Sequence, residues 1–224
     1  MRSRYSVTAA LLTVTLLLAA GQATAFSFGK DVIEGSGDME TRTLDLKEFD
    51  SIDVGGAFDL EITLGDEQKV VMTIDDNLWD NLEIEVSGGT LEIDWDKSCS
   101  YEGDCRVEIV VRKLEEVDIH GAADVEIKDF HGESFSFNVS GAAELEMDGT
   151  VDKLGISVSG AGDIDTRDLK AKSVKVSVSG AGEAKVYASE SFEGRVSGVG
   201  SIDYWGNPEH KKTRVSGIGN INKK

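Results

Sequence analysis

The sequence has little proline, cysteine or histidine, and each shortage argues against a class of protein. A single proline stands beside 25 glycines, and no amphipathic helix is recognisable after residue 25. Cys99 and Cys105 have no histidine near them, so they make a poor metal site. The three histidines, His120, His131 and His210, are too few to serve as bases for the many serines. We therefore expect an all-β chain rather than a metalloprotein or a serine hydrolase.

Long apolar runs are also lacking, except at the start of the chain. Arg2 and Arg4 precede an uncharged, largely apolar run over residues 7–20, and Ala23–Ala25 fits a small-residue cleavage site. Residues 1–25 are thus predicted to be a secretory signal peptide, with an uncleaved anchor as the alternative. The predicted cleavage site has no cysteine beside it that could carry a lipid anchor. No later apolar run is long enough to cross a bilayer. We expect a periplasmic or extracellular protein, cleaved near Ala25, with no membrane insertion.

Positive charge is scarce as well. After residue 25 the chain has 199 residues, of which 21 are Lys or Arg and 42 are Asp or Glu, a formal net charge of −21. A surface of this sign repels nucleic acid phosphates and anionic membranes, so neither is expected as a partner. The same charge suits solubility, cations or basic peptides.

One heptapeptide is repeated along the second half of the chain. Residues 158–164 read Val-Ser-Gly-Ala-Gly-Asp-Ile, and close copies begin at Val139, Val178, Val196 and Val215, with a looser one at Ile119. The first glycines of the six copies lie at 121, 141, 160, 180, 198 and 217. A period of about 19 residues is typical of stacked repeats.

Strand periodicity surrounds each copy. Runs such as Leu154–Val158 and Val174–Val178 alternate apolar with polar residues, so one face of each is buried. A unit with two short strands and a glycine corner cannot bury its apolar face alone, whereas stacked coils can. The predicted fold is a single-stranded, right-handed parallel β-helix, or β-solenoid, with coils of about 19 residues. An antiparallel β-sandwich is the alternative, because alternation does not reveal strand direction.

The predicted organisation has three parts. A polar lead-in over residues 26–40 follows the signal peptide, and a single β-solenoid domain covers residues 41–224, with its clearest repeats at 119–222. Gly55–Leu60 looks like a degenerate first copy of the repeat. Lys69–Ile74, Leu82–Val86 and Leu91–Trp95 are predicted to be strands, and Asp75–Trp79 could make one helical turn.

The two cysteines flank a glycine-containing loop. In an oxidising compartment, two cysteines six residues apart predict one structural disulfide between Cys99 and Cys105. The spacing differs from the two-residue spacer of redox motifs. Closing so short a loop stabilises a protein by about 2 kcal/mol.

The repeated residues have a backbone interpretation. The first glycines fit a corner that needs a positive φ or has no room for a side chain, and the second require a small residue. A phosphate-binding loop is a poor alternative, because no helix follows it. The serines form a column in which hydroxyls bond corner backbone. They are Ser140, Ser159, Ser179, Ser197 and Ser216.

An acidic column is the one repeated feature left for binding. Asp124, Glu144, Asp163 and Glu183 each follow a corner and should face outward, one per coil. Like charges about 4.8 Å apart repel unless water or a cation lies between them. A solvated face needs no ligand, and weak surface calcium is the alternative. No cofactor is otherwise indicated.

Several motifs in this order resemble one bacterial family. They are Ile33–Gly37, Phe49–Val54, Asp75–Leu78, Gly89–Ile93 and Gly217–Ile221. Together they are similar to the auto-transporter adhesin, head GIN domain family, over roughly residues 31–222. The resemblance implies a β-helical fold and an envelope or extracellular location, and it implies no established activity.

Three functional hypotheses follow. The first is a non-enzymatic envelope or secreted module that recognises glycan or protein in the manner of an adhesin. Tyr187, Tyr204 and Trp205 are candidate contacts, with packing in the core or at an end of the fold as an equal alternative for each. The second is a β-helical polysaccharide lyase or hydrolase, for which Arg167 and Lys185 lie near the acids. The third is a homo-oligomer, because the last repeat leaves the final coil covered only by a polar tail.

Overall fold

The computed structural model describes residues 32–100 and 105–224, and nearly all regular structure there is β-strand. The predicted signal peptide and residues 26–31 of the lead-in lie outside the described residues. The one helical element in this part of the chain is a 3-10 turn, Trp79–Asn81, next to the segment predicted to form a turn. The strands are β1 (Ile33–Glu34), β2 (Met39–Leu44), β3 (Ser51–Val54), β4 (Ala57–Leu64), β5 (Lys69–Asp75), β6 (Leu82–Ser87), β7 (Thr90–Trp95), β8 (Cys99–Ser100), β9 (Arg106–Val111), β10 (Glu116–Ile119), β11 (Ala122–Val139), β12 (Ala142–Val158), β13 (Ala161–Val178), β14 (Ala181–Val196), β15 (Val199–Trp205), β16 (His210–Val215) and β17 (Ile218–Lys223).

The repeats are the coils of a β-solenoid. Strands β10 to β17 pair in parallel, each with the strand one coil away, so that Val125 lies beside Leu145 and Val139 beside Val158. Successive first glycines are 18 to 20 residues apart. The prediction of a parallel solenoid is confirmed, and the antiparallel sandwich is wrong.

Each coil crosses two sheets, which we call the pre-corner and post-corner sheets. The long strands β11 to β14 belong to both, and their pairing shifts register between the halves, as between Ile127 and Phe130. From one end to the other the pre-corner sheet runs β16-β14-β13-β12-β11-β10-β3-β7-β6. The post-corner sheet runs β17-β15-β14-β13-β12-β11-β4-β9-β5-β2.

Antiparallel strands cover the end of the solenoid that is opposite the last coil. In the post-corner sheet β5 runs antiparallel to β9 and to β2. In the pre-corner sheet β6 runs antiparallel to β7. We call β2, β5 and β6 the cap, because the antiparallel pairings of β5 and β6 end the parallel stack there.

The coils near the cap are not stacked in chain order. The coil of β3 and β4 lies directly beneath that of β10 and β11, with Ala57 beside Ala122, which confirms Gly55–Leu60 as a copy of the repeat. The chain then leaves this stack, forms the cap, and returns through β7 and β9 below β3 and β4. Only after this excursion, at β10, do the regular repeats begin.

The core is a stripe of apolar side chains between the two sheets. The alternating positions that the sequence assigned to the interior are buried, among them Val125, Leu145 and Ile164 in neighbouring coils. Phe130, Phe135, Phe137 and Phe192 are the largest fully buried side chains of the repeat region. Burial of these residues is the main favourable contribution to the stack, at about 25 cal/mol per Å² of apolar surface.

The predicted disulfide between Cys99 and Cys105 is not seen. Cys99 lies in β8 beside Ile33 of β1, and its Sγ–H donates to the Lys97 carbonyl at 3.3 Å. Burial raises the pKa of the Cys99 thiol and favours its protonated form. Cys105 is buried just before β9. Cys99 thus lies in β8, whereas Cys105 lies in the segment that leads into β9.

Candidate binding surface

The repeated corner is a close contact between backbones. At Gly160 an added Cβ would lie 1.9 Å from the Gly141 carbonyl oxygen and 2.4 Å from that of Ser140. The corner glycines do not have a positive φ. Of the two explanations that the sequence allowed, lack of space is therefore the correct one. Ser159 Oγ donates to the Val139 carbonyl at 3.1 Å, which confirms its bond to corner backbone.

The predicted acidic column forms as one ladder of the post-corner sheet. Asp124, Glu144, Asp163 and Glu183 are register neighbours, and Asp59 of β4 extends the ladder by one coil. A second ladder, two residues further along each strand, was missed by the sequence reasoning. Its members are Glu61, Glu126, Glu146 and Asp165. Pairing the repeat residues by coil would have revealed it. The two ladders together are the acidic face.

Bases neutralise part of the acidic face. Lys128 Nζ lies 2.9 Å from Glu126 and 3.1 Å from Glu61, and Lys185 lies 3.7 Å from both Asp163 and Glu183. Arg167 holds Asp165 through Nε at 2.8 Å and Nη2 at 2.6 Å. Burial raises the pKa of Asp165, but the hydrogen bonds and charge of Arg167 more than offset this, and the pKa lies below its ordinary value.

The acidic face is open and shallow. A depression of about 360 Å³ lies over its end nearest the cap, lined by acids of both ladders and by Arg106. Within residues 32–100 and 105–224, no group of three or more Asp, Glu, His or Cys side chains is placed to hold a metal ion. Weak calcium binding at this face stays a prediction.

A chain of polar side chains joins three coils at the corner of β10. His120 Nδ1 lies 2.8 Å from Ser140 Oγ, and His120 Nε2 lies 3.1 Å from Asp53 Oδ2. In the looser copy that begins at Ile119, His120 stands where the later copies have serine, but the sequence does not connect it with Asp53, which is 67 residues away. The degenerate copy of the repeat that begins at Gly55 was the signal that could have placed Asp53 and His120 in neighbouring coils.

Asp53, His120 and Ser140 have the residue types of a catalytic triad, but the described residues around them do not supply the other parts of a serine hydrolase site. A nucleophilic serine needs N–H donors for the oxyanion of the intermediate. The N–H groups of Ser140 and Gly141 donate to the Ile119 carbonyl at 2.9 and 3.3 Å, and that of Ala142 donates to Gly121 at 2.9 Å. These corner N–H groups thus already donate to the coil below and do not point at an oxyanion. The arrangement connects coils and lacks the electrostatics of acyl transfer.

The residues suggested for a polysaccharide-degrading enzyme form ion pairs instead. A glycosidase requires a carboxylic acid whose pKa is raised, so that it can protonate the leaving group. Asp165, held by Arg167, has a lowered pKa. Lys185 bridges Asp163 and Glu183 on the exposed sheet. This geometry suits a charged binding surface better than acid–base catalysis.

An aromatic patch borders the acidic face near the last coils. Tyr187 and Trp205 are half-buried register neighbours on β14 and β15. Arg167 lies over the Trp205 ring at 5.7 Å, and Lys170 Nζ over the Tyr187 ring at 4.5 Å. We call these four residues the aromatic patch. The third candidate contact, Tyr204, is buried in the core and stacks on Phe192 with ring centroids 4.2 Å apart, which fits the alternative of core packing.

Comparison with known proteins supports an adhesin family. The family described as "Putative auto-transporter adhesin, head GIN domain" matches residues 48–208. A solved structure described as a "putative adhesin" from Bacteroides fragilis is similar over 86% of this chain and 100% of its own, with 25% identity and a TM-score of 0.69. Another, from Parabacteroides merdae, covers 86% and 99% at 16% identity, with a TM-score of 0.54, and shows the fold. No curated protein matches the chain.

These relatives are described as adhesins and not as enzymes. The adhesin-like family implies a cell-surface or envelope protein. In the part of the chain that the structure describes, no helix has the length and hydropathy needed to cross a membrane. The predicted signal peptide lies outside that part. The solenoid, its repeated corners and the match over residues 48–208 lead to one conclusion: the chain belongs to the auto-transporter adhesin, head GIN domain family.

Proposed function

We propose that the protein is a non-enzymatic module of the cell envelope that binds glycan through the aromatic patch, in the manner of an adhesin. The observation that carries this proposal is the pair Tyr187 and Trp205, fixed side by side by strand register on an outer surface. Their rings stand above the rigid stack of β14 and β15. A binding partner therefore meets a surface that is already ordered.

The chemistry of the aromatic patch suits a sugar ring. The C–H groups of a pyranose face are weakly positive and apolar, and they pack on the negative face of an aromatic ring. The cations of Arg167 and Lys170 lie over these rings, so a sugar that packs on the same faces displaces them. Asp165 and Asp203 flank the rings in the adjacent column of the sheet, where Asp165 accepts from Arg167, and Asp203 accepts from Asn222 and lies 3.0 Å from Lys224 Nζ. Aromatic residues and arginine dominate binding hot spots in general.

A glycan array with the secreted protein tests the proposal. We expect binding to a restricted set of glycans, and a loss of affinity of about tenfold or more for Trp205→Ala. Tyr187→Phe keeps the ring and should bind as the wild type does, whereas Tyr187→Ala should not. Thermal unfolding checks that each variant is folded.

Two results would overturn glycan recognition. One is an array without any binding above background at micromolar protein. The other is binding that Trp205→Ala and Tyr187→Ala leave unchanged. Retention of an envelope protein by the wild type, lost in both variants and without glycan binding, would assign the surface to a protein partner instead.

A further inference from the structure

The two ends of the solenoid carry opposite charge. Residues 206–224, which form the last coil, contain five Lys or Arg and a single acid. Residues 75–96, which include cap strand β6 and its partner β7, contain eight acids and no Lys or Arg. In a chain with a net charge of −21 after residue 25, a basic last coil is a local exception. The rod thus has a basic end and an acidic end.

Strands β16 and β6 are the outermost strands at these two ends of the pre-corner sheet. Among the residues that the structure describes, β16 pairs only with β14, and β6 pairs only with β7. Each presents a row of backbone N–H and C=O groups to whatever lies beyond the end. Exposed apolar side chains lie at the same end: Val215 and Ile218 in the last coil and Val199 in the coil before it, with exposed fractions of 44, 76 and 56%.

The edges of β16 and β6 match in length, in direction and in which alternate side chains face outward. Both strands have six residues. β16 runs parallel to β7 through the stack, and β6 runs antiparallel to β7, so a second copy stacked in the same orientation brings β6 antiparallel to β16. The outward residues of β16 are His210, Lys212 and Arg214, as their register with Ser191, Glu193 and Arg195 shows. The exposed residues of β6 are Glu83, Glu85 and Ser87.

We propose that the basic edge of β16 binds the acidic edge of β6 in a second copy of the chain, so that copies join head to tail. Pairing the six residues of each strand in antiparallel order sets Arg214 beside Glu83 and Lys212 beside Glu85. The same register sets Val215 above Leu82 and Thr213 above Ile84, which are partly buried in β6. Opposite charges directly across a strand pair are stabilising, and like charges are destabilising.

The junction joins the pre-corner sheets only. At the cap the post-corner sheet has one strand more, because β2 lies beyond β5, which is level with β6. The last coil of one copy must therefore tilt away from β2 of the other for β16 to reach β6. A contact between two different surfaces of one molecule does not close on itself, so the product is an open chain of copies.

A second copy explains the features of the basic end better than an anionic polymer does. A polysaccharide or a lipid headgroup would neutralise the lysines, but it would leave the edge of β16 without a strand partner. The cap carries a strand of the matching length and the opposite charge. Self-pairing of two β16 edges is disfavoured, since it sets Lys and Arg against Lys and Arg.

Light scattering of the secreted protein tests head-to-tail association. We expect the mean mass to rise with protein concentration at low salt and to fall at 0.5 M NaCl, because exposed ion pairs are screened. Lys212→Glu with Arg214→Glu should weaken association by about tenfold or more. Glu83→Lys with Glu85→Lys should weaken it equally.

Mixing the two charge-reversed variants is the decisive experiment. One variant then has two acidic ends and the other two basic ends, so neither associates alone, but the mixture should recover the wild-type mass. A variant that fails merely because it is misfolded cannot be rescued in this way. As a matched control, Asp124→Lys with Glu144→Lys makes the same charge change on the acidic face and should leave association intact.

Three outcomes would overturn the proposal. They are a monomeric mass at every concentration and salt level, charge reversal without effect, and a mixture that stays monomeric. A monomer whose basic end binds heparin, with binding lost in Lys212→Glu and Arg214→Glu, would assign this end to an anionic polymer.

Discussion

At the scale of the residue, the solenoid depends on corner glycines, which have no side chain. Each first corner glycine lies against the carbonyl oxygen of the corner below it, at a distance that leaves no room for a Cβ. The second glycine of the same corner is different at Gly162, where an added Cβ would meet Val158 Cγ1 at 3.2 Å. Earlier copies have Ala123 and Ala143 at that place. One corner therefore contains a strict position and a tolerant one.

The two glycines of one corner give the first prediction. Gly160→Ala should lower the free energy of unfolding by on the order of 3 kcal/mol, because the methyl group forces neighbouring coils apart. Gly162→Ala should change it by less than about 1 kcal/mol, since the Val158 side chain can adjust. Urea denaturation of the two variants measures both values. Equal losses would mean that coil spacing is not the cause.

The pair Asp165 and Arg167 gives a pH dependence with a defined sign. A carboxyl group whose folded-state pKa is lowered stabilises the fold above its unfolded pKa, and this stabilisation is lost as pH falls through the folded value. The difference in stability between wild type and Arg167→Met should therefore be constant from pH 6 to 8 and shrink below about pH 4. Urea denaturation across this range checks it. A difference that grows towards low pH would contradict the assignment.

At the scale of the element, parallel coils could be predicted from sequence and the cap could not. The corners recur in the same residue types at 18 to 20 residues, so Val158 and its copies indicate a stack with one register. Strand β5 alternates in the same manner as the coil strands, yet it runs antiparallel to β9. Alternation records which side chains are buried and carries no information on direction. The return of β7 beneath β3 was hidden for the same reason.

The candidate site was predictable to the extent that it repeats. Asp124 and its three counterparts were assigned correctly to one outward column, because a repeated residue in a stack must form a ladder. The aromatic pair occurs once, and the sequence did not distinguish the surface ring of Trp205 from the core ring of Tyr204. The contact of His120 with Asp53 depends on the coil order near the cap, which the repeats do not encode.

The chain of Asp53, His120 and Ser140 is a link between coils, and this can be tested. His120→Ala should lower the free energy of unfolding by about 1 kcal/mol or less, since the contacts are largely exposed. His120→Ser restores the residue found in the later copies and should lose less. Neither change should alter hydrolysis of an activated ester, which we expect to equal the blank. Ester turnover that requires His120 would contradict the structural role.

At the scale of the whole molecule, charge is distributed along the rod and not evenly over it. The acidic face extends through five coils from β4 to β14, while positive charge collects in the last coil. Neighbouring carboxylates in a ladder repel across about 4.8 Å. Their mutual repulsion is a cost of folding that salt reduces.

Neutralising one acid of the ladder should therefore stabilise the protein. Glu144 lies between Asp124 and Asp163, so Glu144→Gln should raise the free energy of unfolding by about 0.5 kcal/mol at low salt. Glu126→Gln removes the same charge but also the contact with Lys128, and it should give no gain. The effect of Glu144→Gln should vanish in 0.5 M NaCl. Thermal unfolding at two salt concentrations measures it, and a gain that persists in salt would exclude charge repulsion as the cause.

The return of the chain beneath its own first coil has a consequence for the order of folding. Strands β3 and β4 are made before their lower neighbours: β7 follows β3 by 39 residues, as from Ser51 to Thr90, and β9 follows β4 by 47, as from Asp59 to Arg106. The regular repeats then need only the coil just completed as a template. Because non-local contacts form more slowly than local ones, we expect the closure of residues 33–111 to be slower than the later addition of coils. Loss of coils from the C-terminal end would shorten the solenoid. Loss of β7 and β9 would instead remove the lower neighbours of the coil of β3 and β4, on which every later coil stacks.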